Sequence, residues 1–409
     1  MCDIIGRAIN QAFARRQLLA GVTKSAAALA ASAAILGIPP SAAQAADAKQ
    51  QVMASRASAS AFRTRLILLG TAGGPVFWPN TDRCSTASAV VVGDAVYMVD
   101  CGHGSGKRLQ EALYPAGMGH QTLKNVQALF FTHLHSDHIV DYPALLLYGH
   151  AAEGLNARAK NPFKVFGPGR RGQLEPVFSL PGREPANPPL VSPENPTPGT
   201  RDMTESIYQA FATDINDRIR DGQVPDIRSL VEVHDIALPE IAGFRSPNET
   251  PEPEMEPFTV FEDDRVKVSA TLVNHFPIWP AFAFRLDTDD GSIVFSGDTA
   301  PSKNLVRMAK NADVLVHEVI VTSWVDKLFP GTRNQAEEAT RHHLLSAHTA
   351  VEDVGKVAEE AGVATLVLNH VVPGNASMED LAGAQNGFSG KVIVGNDLLE
   401  LGVKRGMRP

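Results

Sequence analysis

Sheets packed face to face with helices on the outside, an α/β (α+β) arrangement, are what this sequence predicts. Three observations lead there. Apolar runs of strand length dominate the early chain, helical stretches intersperse later, and several of the strands end abruptly in His or Asp.

Arg65–Gly70 reads as the opening strand, and a Gly/Pro-rich loop follows from Thr71 to Asn80. Two strands, Ala87–Gly93 and Ala95–Cys101, are joined at Gly93-Asp94, the composition of a tight hairpin turn. Ser105–Ala116 is expected as a helix and Val126–Phe131 as a buried strand. Later strands are expected at Phe163–Gly167, Val266–Val273, Phe282–Asp287, Ser292–Gly297, Val314–Glu318, Thr365–Asn369 and Lys391–Gly395. Helices fit Lys303–Asn311, Gln335–His343 and Thr349–Ala361. Residues 180–257 differ, being rich in Pro and Glu, and read as an insertion. Within it Ile207, Phe211, Ile215 and Ile219 make one apolar stripe on a helix from Met203 to Asp221. That helix either covers the site as a lid or packs on the body. No repeat recurs at solenoid spacing.

The first 45 residues stand apart. Arg7, Arg15, Arg16 and Lys24 make a cationic start, Ala26–Ile38 an apolar run, and Ala43-Gln44-Ala45 a small-x-small cleavage site. This is the layout of a secretory signal peptide, too short in its apolar run for a spanning helix. Arg15-Arg16 followed by Gln17-Leu18-Leu19 looks like a twin-arginine export signal. The alternatives are an ordinary secretion signal and a disordered basic tail. The expectation is a periplasmic or secreted protein without a stable membrane anchor after cleavage, with residues 46–61 a linker and 62–405 the folded domain.

The whole chain carries a formal charge of −8; without residues 1–45 it has 33 Lys+Arg against 44 Asp+Glu, or −11. An acidic body disfavours a polyanionic partner, so no nucleic acid is expected. A dimer is compatible with this composition, which sets no oligomeric state. Outside the leader the cysteines are Cys84 and Cys101, which the hairpin would bring near each other. They either pair in an oxidising compartment or stay as two free thiols, and neither has the CxxC spacing of a metal or redox site.

The strand Val126–Phe131 runs into Thr132-His133-Leu134-His135-Ser136-Asp137-His138. Three imidazoles and a carboxylate within six residues form a donor set that suits Zn2+, and less selectively Mn2+ or Fe2+. Four more apolar strands end in a candidate ligand: Asp100, His275, Asp298 and His370. Alone, each would be an ordinary turn residue. Four such endings beside a His-x-His-x-Asp-His loop are hard to explain as packing.

On these residues the chain resembles the metallo-β-lactamase superfamily, and within it the ribonuclease Z-like branch that also contains exported arylsulfatases. The resemblance is carried by Leu69-Gly70-Thr71-Ala72-Gly73-Gly74, Val99-Asp100-Cys101-Gly102, Thr132–His138, Val165-Phe166-Gly167-Pro168, Ser296-Gly297-Asp298-Thr299, Val316-His317-Glu318, Ala347-His348-Thr349 and Leu368-Asn369-His370-Val371. It implies a four-layer αββα sandwich with two divalent ions at its edge. His133, His135 and His275 would hold one ion, and Asp137, His138 and His370 the other. Asp298 would bridge them, and Asp100 would fix a ligand histidine from behind. Two ions ~3.5–4 Å apart share a water and lower its pKa towards neutrality, which gives a hydroxide to attack phosphorus, sulfur or a carbonyl carbon. The catalytic residues implied are Asp137, which orients or deprotonates that water, and His348, which with Glu318 near it protonates the leaving oxygen. Without the resemblance, His348 reads as a histidine at a helix start.

A bridging carboxylate suits phosphodiesterases, sulfatases, lactonases and thioesterases, whereas dedicated β-lactamases of the superfamily usually lack it. Ribonuclease Z carries a tRNA-binding arm between the positions matching His275 and Asp298, but here 22 residues separate them. The expectation is therefore an exported binuclear hydrolase of small phosphodiesters or aryl sulfate esters, a small-molecule esterase and not a tRNA-processing enzyme. Alternatives are a lactone, β-lactam or other carbonyl-ester hydrolase, and a non-catalytic periplasmic metal-binding protein. Phe77, Trp78, Phe276, Trp279 and Phe282 are either an apolar wall for an aromatic leaving group or core. Arg83 and His317 are candidates to meet an anionic substrate, a surface salt bridge being the plainer fate of Arg83. Gly102–Gly106 reads as a turn near the site, since no Lys-Ser/Thr follows to make a nucleotide loop.

Overall fold

A strand with apolar side chains on both faces needs cover on both sides, and the architecture supplies it in four layers. The computed structural model describes residues 42–114, 123–151, 153–182 and 187–406. Its strands along the chain are β1 (Thr64–Gly70), β2 (Ala87–Val92), β3 (Ala95–Val99), β4 (Val126–Phe130), β5 (Phe163–Pro168), β6 (Val231–Ile236), β7 (Phe258–Glu262), β8 (Val266–Leu272), β9 (Phe282–Thr288), β10 (Ser292–Phe295), β11 (Val314–Ile320), β12 (Thr365–Val372), β13 (Lys391–Val394) and β14 (Glu400–Gly402). One seven-stranded sheet has the order β14-β1-β2-β3-β4-β5-β6 and the other β13-β12-β11-β10-β9-β8-β7. The β2–β3 hairpin pairs Ser88 with Val99 through Val92 with Ala95, the register that the Gly93-Asp94 turn demands.

Side chains alternate between two destinations along each strand. From the first sheet, Leu66, Leu68, Tyr97 and Phe130 face inward and meet Leu272, Phe284, Ile293 and Val316 of the second. The outward residues Ile67, Met98, Leu129 and Phe131 pack under the helices that carry Leu109, Leu145, Leu146, Ile207 and Ile215. The helices are α1 (Ala42–Ala59), α2 (Ser105–Leu113), α3 (Ser136–Ile139), α4 (Tyr142–Ala151), α5 (Thr200–Ala210), α6 (Ala212–Arg220), α7 (Lys303–Met308), α8 (Thr322–Leu328), α9 (Gln335–Ser346) and α10 (Val351–Ala361). On the far side, α7 and α10 cover Val294, Leu315, Leu366 and Leu368 of the second sheet through Leu305, Met308, Val354 and Ala358. Helix, sheet, sheet, helix is the αββα sandwich.

The parallel portions aim the site. In the first sheet β3, β4, β5 and β6 run parallel, and in the second β10, β11, β12 and β13 do. Their C-terminal ends meet along one edge, where ligands collect in open parallel sheets. There the sheets are tied backbone to backbone: the Phe282 N–H donates to Thr132 C=O at 2.9 Å and Val371 N–H to Thr71 C=O at 2.9 Å.

Several expectations need correction. The segment expected as a linker, 46–61, is mostly helix α1, fastened to β14 through the Arg56–Glu400 ion pair at 3.2 Å. The leader expected over 1–45 lies outside the described residues up to position 41, and its last residues begin α1. The region 180–257 is not set apart from the core: it supplies β6, the edge strand that pairs in parallel with β5. Polar residues at 232, 234 and 235 hid this strand, because an edge strand with one covered face needs apolar side chains only in part. The single helix expected over Met203–Asp221 is two helices that meet at Phe211, which is 42% exposed and leaves the stripe. Ile207 and Ile215 pack on the body and not over the site. The Glu-rich stretch is stitched to α7, with Glu252 accepting from Ser302 Oγ and from Asn304 N–H, and Glu254 and Glu256 paired with Arg307.

Phe130 stacks on Phe166 at 5.3 Å and meets Phe284 across the sandwich at 5.6 Å. Phe130→Ala is expected to lower stability by about 3–5 kcal/mol, the cost of a large-to-small change in a fully buried aromatic. Denaturant unfolding of the two proteins checks this.

Candidate metal centre

Short turns beyond the strand ends carry the polar side chains. After β3 comes Asp100, with φ of 62°, and near the end of β12 comes His370, with φ of 42°. Non-glycine residues in the left-handed region cost of order 1–3 kcal/mol each, and such strain concentrates at functional sites. After β4 the chain makes a turn through His133 and His135 into α3, which begins with Ser136, Asp137 and His138. His275 follows β8, and Asp298 follows β10.

These side chains converge. His133, His135, His275 and Asp298 each offer a donor atom within 4.8 Å of the others, and Asp137, His138 and His370 form a second such group. Asp298 stands between the groups. Its Oδ2 is 3.8 Å from both His133 Nε2 and His275 Nε2 and 3.1 Å from His370 Nε2, and its Oδ1 is 3.3 Å from His138 Nε2. His370 Nε2 is also 3.2 Å from Asp137 Oδ2. The structure thus brings all seven side chains into one cluster, with His348 also within reach of Asp298 and His370.

Residues behind the donors fix their directions. The Asp100 carboxylate accepts from Thr132 N–H at 2.8 Å and from His138 Nδ1 at 2.9 Å, which turns His138 Nε2 towards Asp298. His275 Nδ1 donates to the Ala347 carbonyl at 2.9 Å and presents Nε2. Gly74 N–H donates to Asp137 Oδ2 at 2.8 Å. Gly73 lies against the His370 ring, where a Cβ would come within 2.3 Å of Nδ1, so no other residue fits there.

Electrostatics separate the two groups. Burial holds His133 and His275 neutral, with pKa values below the usual imidazole range. Burial also opposes charge on His370, but Asp298 and Asp137 outweigh it and push its pKa up to about 10. For Asp298 burial is outweighed by His370 and His138, which keep its carboxyl well below the usual range.

The donor set fits divalent ions. His133 Nε2, His138 Nε2, Asp137 Oδ1 and Asp298 Oδ1 are buried and have no hydrogen-bond partner. Each orphaned polar atom costs about 1–3 kcal/mol, and four of them in two donor groups sharing one carboxylate are what cations between those groups would satisfy.

A cavity of about 200 Å3 opens onto this cluster, lined by Trp78, His135, Asp137, Asp298, Trp324, His343, His348 and His370 among others. His348 is held by Glu318, whose carboxylate oxygens lie 3.0 and 3.1 Å from Nδ1 and also accept from Thr299 N–H at 2.7 Å. Glu318 thus touches His348 and not the cavity, and acts as its positioning residue.

The remaining candidates divide. Trp78 is on the cavity wall, edge-to-face with Trp324 at 5.6 Å. Phe282 is core. Phe77 is 87% exposed against His103, and Trp279 stacks on Phe244 outside this cavity. Arg83 is not on the cavity wall: it donates to Thr71 Oγ1 and Asn396 Oδ1, both at 3.1 Å. His317 is fully buried, its Nδ1 on the Glu318 carbonyl at 2.8 Å. Gly104, with φ of 84°, is the turn that starts α2. Cys84 and Cys101 are free thiols. His343 and Trp324 were missed. His343 joins His275 and His348 in a third close group, and its signal was the spacing of five residues to His348, which a helix end folds back towards the site.

A four-layer sandwich with a divalent-metal His/Asp edge defines a class, the metallo-β-lactamase-fold hydrolases, and residues 81–235 match the profile of the metallo-beta-lactamase superfamily. The chain belongs to that superfamily, within its ribonuclease Z-like branch. It is 30% identical over 336 residues to ribonuclease Z of Mycobacterium bovis (strain BCG / Pasteur 1173P2), covering 81% of this chain and 96% of that one. The same identity and coverage hold for ribonuclease Z of Mycobacterium marinum. The human short-form tRNase Z structure superimposes with a TM-score of 0.49 at 17% identity, over 83% of this chain and 99% of that one.

These relatives overturn the expected partners. A small-molecule substrate and the exclusion of nucleic acid were read from net charge, the export leader and the 22-residue connection from His275 to Asp298, whereas proteins alike over four fifths of this chain are named ribonucleases. Net charge sums the whole surface, while phosphodiester recognition is decided by the few groups at the site.

Asp298→Asn should lower bound metal from close to two ions per chain, as read by elemental analysis of the purified protein. Asp100→Ala should weaken metal affinity about 10–100-fold, because His138 loses its orienting partner.

Proposed function

We propose that the protein is a binuclear metal-dependent phosphodiesterase that hydrolyses RNA. The observation that carries the reading is the convergence of seven donor side chains into two groups joined by Asp298, with the Glu318–His348 pair beside them. The ribonuclease Z relatives support RNA as the substrate.

His133, His135 and His275 would hold one ion, Asp137, His138 and His370 the other, with Asp298 shared. Zn2+ suits this mixture of imidazole and carboxylate, with Mn2+ and Fe2+ compatible. When bound, such a pair lowers the pKa of a shared water and neutralises charge growing on the non-bridging oxygens. The chain's own residues do the rest. Asp137, fixed by Gly74 N–H, orients the attacking water. His348 carries a proton to the leaving oxygen: burial opposes its charge, but the Glu318 carboxylate outweighs this and raises its pKa. Trp78 and Trp324 give a flanking base an aromatic surface, where stacking is worth about 1–3 kcal/mol per base.

Metal-loaded protein should hydrolyse both single-stranded RNA and bis-p-nitrophenyl phosphate, and chelation should abolish both. His348→Ala should cut RNA turnover about 10²–10⁴-fold. It should cost bis-p-nitrophenyl phosphate far less, since nitrophenolate leaves without a proton. Metal uptake by wild type with no turnover of either diester above that of Asp137→Ala would show the protein to be a metal binder without catalysis.

A further inference from the structure

A second cavity, about 110 Å3, lies beside the metal centre and is lined by Leu134, Arg171, Glu175, Thr197, Ile278 and Trp279 among others. It abuts the first donor group: Leu134 lies between His133 and His135, and Ile278 N–H donates to the His275 carbonyl at 2.9 Å. Arg171 comes three residues after β5, at the C-terminal edge where the other site residues gather.

Arg171 is unusual. Its side chain is 6% exposed, yet the carboxylate paired with it, Glu175, is 3.9 Å from Nε and itself 47% exposed. Nη2 donates to Asn248 Oδ1, while Nε and Nη1 are buried with no hydrogen-bond acceptor. Trp279 Nε1 is a third buried donor without an acceptor, and it lines the same cavity. Arginine does not shed its proton to escape burial. A guanidinium with two donor nitrogens idle therefore calls for an anion, and its planar fork matches phosphate oxygens. Water fills such a space but brings no charge.

We infer that the Arg171–Trp279 cavity is a phosphate subsite that holds a backbone phosphate next to the scissile one. This rests on the phosphodiesterase reading. Arg171 donates from Nε and Nη1 and Trp279 from Nε1 to the non-bridging oxygens, and the half-exposed Glu175 swings to solvent. The cavity supplies local positive charge that the acidic net balance conceals.

The test compares metal-loaded wild type, Arg171→Met and Trp279→Phe, with folding checked by thermal melting. Trp279→Phe keeps the ring and removes one donor, so it remains informative even if Arg171→Met unfolds. Calorimetric titration with inorganic phosphate should find one more phosphate per chain in wild type than in Arg171→Met, and about ten-fold weaker binding of it in Trp279→Phe. With short RNA, both substitutions should raise KM about ten-fold or more and leave kcat in place. Bis-p-nitrophenyl phosphate has no flanking phosphate, so its kinetics should not change. Equal phosphate binding in all three proteins would overturn the subsite while leaving the hydrolase reading untouched. Extra phosphate bound with no effect on RNA KM would assign the cavity to free phosphate and overturn its role on the strand. Failure of wild type to cleave either diester would defeat the hydrolase reading, while the phosphate count still decides whether the cavity binds an anion.

Discussion

Asp298 lies buried among four imidazoles, 3.1 to 3.8 Å from His133, His138, His275 and His370, and that carboxylate constrains the rest of the molecule. A buried charge is costly unless it is paired or coordinates a metal. The imidazoles around it come from separate stretches of chain, so its compensation requires both sheets to end at the same place. The sandwich meets this requirement with two sets of parallel strands whose C-terminal ends share one edge, and with backbone bonds from Phe282 to Thr132 and from Val371 to Thr71 that lock the ends together.

A second layer of contacts transmits the rigidity of the core to the donors. Asp100 orients His138, the Ala347 carbonyl orients His275, and Glu318 orients His348. Each of these partners sits on or just beyond a regular element. The strained backbone at Asp100 and His370 marks where the chain departs from ordinary strand geometry to aim a side chain. The interior face, with Phe130 against Phe166 and Phe284, holds the sheets at the separation these contacts need.

Much of this was legible in the sequence because its signals are local. The loop from His133 to His138 states its donor set within six residues, and the Gly93-Asp94 turn dictates the β2–β3 register. Strands with a continuous apolar run, such as Leu66–Leu69, could be read because both faces are covered. What escaped depends on distant partners. β6 is an edge strand whose polar face carries no pattern, and α1 has no amphipathic stripe to announce that it packs on β14. Trp324 and Arg171 acquire meaning from partners distant along the chain, Trp78 and Trp279, and His343 from His275 as well as from nearby His348. Charge misled for a related reason: a sum over 409 residues says little about one cavity that holds a buried guanidinium with two nitrogens lacking an acceptor.

The central claim is that two cations share Asp298 between the His133/His135/His275 group and the Asp137/His138/His370 group. Anomalous diffraction from crystals of metal-loaded protein, recorded at the absorption edge of the metal, addresses it directly. The account predicts two peaks ~3.5–4 Å apart, one against each group, with the Asp298 carboxylate between them. A single peak, or peaks away from these side chains, would contradict it.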